Sequence, residues 1–102
     1  MTEELRLEIV RCLAIYEDII KADASRTRNM FSDYGEIEAI SRLMNNGDAQ
    51  VGFQKLRDSG NLNETFESVV VRFQSEFRPE VVAVARWRLD NANNLPKVER
   101  RK

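Results

Sequence analysis

Residues 52–73 read GFQKLRDSGNLNETFESVVVRF, and the fold class turns on how this stretch is divided. A strand would alternate apolar and polar side chains. Here Phe66, Val69, Val70, Phe73 and Phe77 recur at the three- and four-residue spacing of one helix face. The run VVVRF taken alone also fits a strand, because valine favours extended backbone, but the longer pattern is helical, with Asn63 as its expected cap. The two glycines ahead of it raise a second question, since phosphate-cradling loops are glycine-rich. Such a loop needs glycines that let backbone N–H groups converge on an anion, followed by Lys and Ser or Thr at fixed spacing. Gly52 instead sits within a helical run, and Gly60 stands where a glycine ends a helix. The stretch therefore reads as a bend between two packed helices.

Working outward, the segment before it also divides into helices. Leu5, Ile9, Cys12, Leu13, Tyr16 and Ile20 form one stripe from about Glu3 to Lys21, with Thr2 as N-cap and Glu3 and Glu4 near the positive end of the dipole. A second helix is expected over 25–34, burying Met30, Phe31 and Tyr34 and ending at Gly35. A third, over 36–46, carries Ile37, Ile40, Leu43 and Met44 and stops at Gly47. Asp48 is the expected cap of a fourth, over 49–59. Beyond the central stretch, Arg78 before Pro79 opens a sixth helix with Val81, Val82, Ala85 and Leu89 on its inner face. Residues 93–102 are polar, broken by Pro96 and basic at the end, and read as a frayed tail. The prediction is an all-α, compact single domain of five to six short helices over residues 1–92.

Composition narrows the function. At 102 residues the chain suffices for one domain without disulfides or metal. Its single Cys12 lies in the apolar pattern and reads as a buried thiol, which suits a reducing cytoplasm. Neither a signal peptide nor a membrane span is expected. The sequence contains no histidine, which excludes Ser-His-Asp and Cys-His catalysis, HExxH zinc sites and Glu-x-x-His di-iron sites. No cofactor is implied. Residues 1–51 hold six Lys/Arg against ten Asp/Glu, and 52–102 hold ten against seven. A split of this kind is common on solvated helix faces and also suits docking of the halves.

Three candidate chemistries remain. Carboxylates pair at helical spacing, as Glu4 with Glu8, Glu64 with Glu67, and Glu76 with Glu80; spacing alone does not make them converge, and they read as surface charge rather than as an enzyme's site. Nucleic-acid binding is the alternative function. It would use Gln50, Gln54, Lys55 and Arg57 on the fourth helix, Arg26 and Arg28 in the SRTR run, and the tail at Lys97, Arg100, Arg101 and Lys102. The sequence pI near 5.5 argues against a large phosphate footprint. The third candidate is a protein-contact surface on the sixth helix: Val84, Arg86, Trp87 and Arg88, an aromatic flanked by arginines. Against it stands the simpler reading that Trp87 packs inward with its indole N–H on a carbonyl.

The segments IYE at 15–17, YGEIEAISRLM at 34–44, GFQKLRDSGNLNETFESVVV at 52–71 and FRPEVVAVARWRL at 77–89 together resemble a family of short, uncharacterised bacterial proteins. The resemblance implies an all-helical fold and confers no activity. The chain departs from the family pattern at Ser41, Asn61 and Asn63. Glu67, Arg86 and Arg88 match it, which implies a structural ion pair between the fifth and sixth helices. The expectation is a non-catalytic cytoplasmic helical module that binds another protein or itself.

Overall fold

The computed structural model describes residues 2–45 and 47–92. Among these it contains six α-helices: α1 (Glu3–Ile20), α2 (Ser25–Tyr34), α3 (Glu36–Met44), α4 (Gly47–Asp58), α5 (Phe66–Arg72) and α6 (Pro79–Asp90). Short 3-10 turns at Leu62–Glu64 and Gln74–Glu76 flank α5, and no strand occurs among the described residues. The VVVRF run is helical through Arg72, as the longer pattern required. The expected tail at 93–102, with its basic residues, lies outside the described residues.

Local chemistry sets most boundaries. The Thr2 hydroxyl accepts from the Leu5 amide at 3.1 Å and caps α1. At the far end of α4, Gly60 takes φ +80°, the Gly60 N–H donates to Arg57 at 3.0 Å, and the Asn61 N–H reaches back to the Leu56 carbonyl at 2.8 Å. Paired bonds of this kind around a left-handed residue form a Schellman motif, so the second glycine of the opening stretch is a helix stop. Gly35, also at φ +80°, ends α2 and starts α3: its N–H donates to Phe31 and its carbonyl accepts from Ala39.

Three helix boundaries and one side chain differ from expectation. Gly47 begins α4 rather than ending α3, so Asp48 lies inside the first turn rather than at the cap. Asn63 belongs to the 3-10 turn, and α5 is capped two residues later by Thr65. The Thr65 hydroxyl accepts from the Ser68 amide at 3.1 Å and donates to the Leu62 carbonyl at 2.9 Å. Phe77 is buried but sits on extended backbone after the second 3-10 turn, so it reaches the core without sharing a helix with Phe66. Finally, Tyr34 is 47% exposed, its ring covered by the Arg42 guanidinium at 4.0 Å rather than by the core.

The core gathers Leu5, Ile9 and Cys12 of α1, Ile40 and Met44 of α3, Val69 and Val70 of α5, and Val81 and Ala85 of α6. Each fully buried Leu, Ile or Val contributes about 1.5–3 kcal/mol. Packing is closest where α5 meets α6 and α2 meets α3. Surface ion pairs tie the elements together: Glu8 of α1 accepts from Arg11 at 2.8 Å and from Arg72 of α5 at 2.6 Å. Glu17 accepts from the Ala24 amide and Arg28 Nε, both at 2.7 Å, fastening the start of α2 to α1. Closure is incomplete on one side. Between α1, the start of α2, α4 and α5 lies a cavity of about 330 Å³.

Candidate functional site

The sixth helix carries both a buried charge and an exposed aromatic, and its start fixes their phase. Arg78 is extended at φ −66°, ψ 148°, and Pro79 occupies the first turn, where its missing N–H costs nothing. From there each residue advances 100° around the axis, so Val81, Val82, Ala85 and Arg88 face inward. Arg88 is 5% exposed. Its Nη1 donates to Glu67 Oε2 at 2.7 Å and its Nη2 to the Met44 carbonyl at 2.8 Å, joining α5, α6 and the end of α3. Glu67, 3% exposed, lies in the first turn of α5, two residues after the Thr65 cap. Burial pushes the Glu67 carboxyl above the usual carboxylate range, while the Arg88 guanidinium pulls the other way. Both charges have partners, which is what allows them inside the core.

This pair carries out the role that the family resemblance implied for Glu67 and Arg88, and it corrects the proposed contact surface. Arg88 is a core residue and cannot face a partner. Arg86 is exposed and donates to Gln74 Oε1 at 3.2 Å, over a shallow depression lined by Phe77, Pro79, Val82 and Ala83. On the helix it lies far around from Val84, which is half-buried against the core. Val84 and Arg88 turn toward the core while Arg86 and Trp87 are exposed, so the four residues are not one patch. Trp87 itself is 54% exposed, so the inward reading of this side chain does not hold. By helix spacing it shares a stripe with Glu80, Ala83, Asp90 and Asn91, the last of which donates from Nδ2 to the Trp87 carbonyl at 2.8 Å.

The other candidates are placed as follows. Of the helically spaced carboxylates, Glu8 and Glu64 both pair with Arg11, Glu67 pairs with Arg88 and Glu80 with Arg78. Among the described residues no three His, Cys, Asp or Glu side chains gather closely enough to hold a metal ion. Of the nucleic-acid candidates, Gln54 is buried and Lys55 is exposed. Arg57 donates from Nη1 to the Ala92 carbonyl at 2.7 Å and pairs with Asp58 at 2.8 Å. Arg28 pairs with Glu17, and Arg26 stands at the edge of the cavity. These side chains do not form a single exposed basic face; the Gln50 side chain lies outside those described.

The sequence reading missed the cavity. Its one signal was Gly52, a glycine within a helix, which often marks close approach of another element. Here the Tyr16 ring fills the place: a Cβ on residue 52 would meet its Cε1 at 3.4 Å and its hydroxyl oxygen at 3.5 Å. Cys12, on the same wall, is a buried thiol whose pKa burial pushes up to about 11, so it stays protonated and unreactive near neutral pH.

Compared with known proteins, the chain matches no family model, no curated protein and no solved structure.

Proposed function

We propose that the chain is a small non-catalytic helical module that works by protein contact, with the outer stripe of α6 as its surface and a second copy of the chain as its partner. The observation that carries this reading is Trp87. The core closes on Val81, Val82, Ala85 and Arg88 without it, leaving the largest side chain of the sequence more than half exposed. Large aromatics dominate contact energies when a partner covers them. The charges around Trp87 favour self-pairing. The outward arc of α6 exposes Glu80, Ala83, Arg86, Trp87 and Asp90, so the helix presents both signs to its own two-fold copy. A single helix stripe is smaller than a standard interface, which makes the pair reversible and concentration-dependent.

The reading includes the resemblance to short bacterial helical proteins and a cytoplasmic setting, which the unpaired buried thiol of Cys12 supports. No helix among the described residues is long and apolar enough to cross a membrane. Size-exclusion chromatography with light scattering tests the proposal. Wild-type mass should rise toward that of a dimer with concentration, and Trp87→Ala should remain monomeric with unchanged helicity. A wild-type monomer throughout the millimolar range, or a Trp87→Ala variant that pairs equally well, overturns it.

A further inference from the structure

The cavity between α1, the start of α2, α4 and α5 is independent of the α6 surface, and its walls have a definite chemistry. Ile20, Leu43, Phe53, Leu56 and Phe66 supply an apolar lining. Asp23 and Ser25 stand on its exposed rim, where water reaches it. Two carboxylates touch the wall, Glu64 and Glu67; Glu64 shares Arg11 with Glu8, and Glu67 pairs with Arg88. Asp23 adds a further negative charge at the rim beside the cationic Arg26. This arrangement disfavours an anion, and the arginines beside both wall carboxylates weaken the case for a cation.

Besides Glu64, whose Oε2 is buried without a hydrogen bond, the wall carries a neutral polar group without a protein partner. The half-buried Tyr16 hydroxyl makes no hydrogen bond among the described residues, and it lies on the cavity wall beside Gly52. A tyrosine hydroxyl with no protein partner is free to donate to or accept from a ligand. The volume, 330 Å³, is about twice that of an apolar cavity of roughly 150 Å³ that accepts a single benzene ring.

We propose that this cavity is a binding site for an uncharged, largely apolar molecule of two-ring size that carries one hydroxyl or carbonyl group to meet the Tyr16 hydroxyl. The apolar body is held by area removed from water, and the single polar contact orients it. Sites of this kind, mostly apolar with one or two placed polar groups, are the usual form of small-molecule pockets.

Titrating the intact chain with 2-naphthol and with naphthalene, followed by amide chemical shifts, tests the proposal. Both should give saturable shifts at Tyr16, Ala24, Gly52 and Phe66 and none at Trp87. Replacing Tyr16 with Phe should weaken 2-naphthol by about threefold to tenfold, the worth of one hydrogen bond, and leave naphthalene unchanged. Filling the space with Ala24→Leu, or with Cys12→Met should the first variant fold poorly, should weaken both ligands by about tenfold or more, because each lost methylene contact is worth a few-fold in affinity. Absence of saturable shifts up to the solubility limit overturns the site. Equal effects of Tyr16→Phe on the two ligands overturn the assigned role of the hydroxyl.

Discussion

Two neighbours on α6 invert the usual distribution of residue types: Arg88 is 5% exposed and Trp87 is 54% exposed. On the inner face the arginine closes the seam of α3, α5 and α6 by meeting a carboxylate and a helix-terminal carbonyl at once. On the outer face the aromatic ring has no such task. Phase on the helix, set by Pro79 at its start, outranks the hydrophobicity of the individual side chain. A charge can occupy the inner face only if its partners are already built there, and the Thr65 cap that holds the first turn of α5 builds them.

The inner face offers the sharpest way to break this contrast. Arg88→Met leaves Glu67 buried without its cation, and unfolding by urea should show a loss of about 3–5 kcal/mol. Adding Glu67→Met should restore most of that stability, since a matched apolar pair replaces a matched ionic one. A single variant costing under about 1 kcal/mol would mean that Arg88 swings out to water and that the seam is not ionic. Next in size is Thr65→Ala, which removes both the α5 cap and the bond to Leu62. It should cost about 1–2 kcal/mol by the same measurement.

On the opposite side, where the cavity leaves packing slack, Gly52→Ala should stabilise the fold by about 0.5–1 kcal/mol. The new methyl makes ordinary contact with Tyr16 and removes the helix penalty of glycine. A destabilised variant would show that Tyr16 cannot yield a few tenths of an ångström.

Acid should act through the surface pairs. Hydrogen bonds from Arg11 and Arg72 hold Glu8 down at about 2, and those from Arg28 and the Ala24 amide hold Glu17 down at about 2. A carboxylate with a depressed folded pKa stabilises above its unfolded value of 4.5, and that contribution is lost as pH falls toward 2. Denaturation midpoints should therefore fall across this window in wild type and change less in a Glu8→Gln, Glu17→Gln variant. Both sites are solvated, so the difference is small and shrinks in high salt. Smallest of all is the stability effect of Trp87→Ala, within about 0.5 kcal/mol, because its ring seals nothing.

How much of this was legible depended on the range of the interactions. The helix stripes, the Thr2 cap, the Gly60 stop and the Pro79 start are written in residues within one turn of each other, and the structure repeats them. Thr65 was passed over for Asn63 because both are good caps two positions apart, and only the intervening 3-10 turn decides between them. Tyr34 fits an apolar stripe, yet the end of α2 leads it out to Arg42. The candidate surface suffered most, because a run of interesting residues in sequence is spread around a helix. Periodicity placed Val82, Ala85 and Leu89 inward but had no means to show that Arg88, between them in phase, would find Glu67 and Met44 waiting. The cavity depends on how α1 to α5 meet, which local patterns do not record.

Trp87 is the only tryptophan in the chain, so collisional quenching of its fluorescence by acrylamide, at a concentration where the chain is dilute, reports on the outer face of α6 alone. The account predicts red-shifted emission quenched nearly as readily as in the urea-unfolded chain. Blue-shifted emission that acrylamide cannot reach would place the indole in the core and contradict the division of α6 into a sealed ionic face and an open aromatic one.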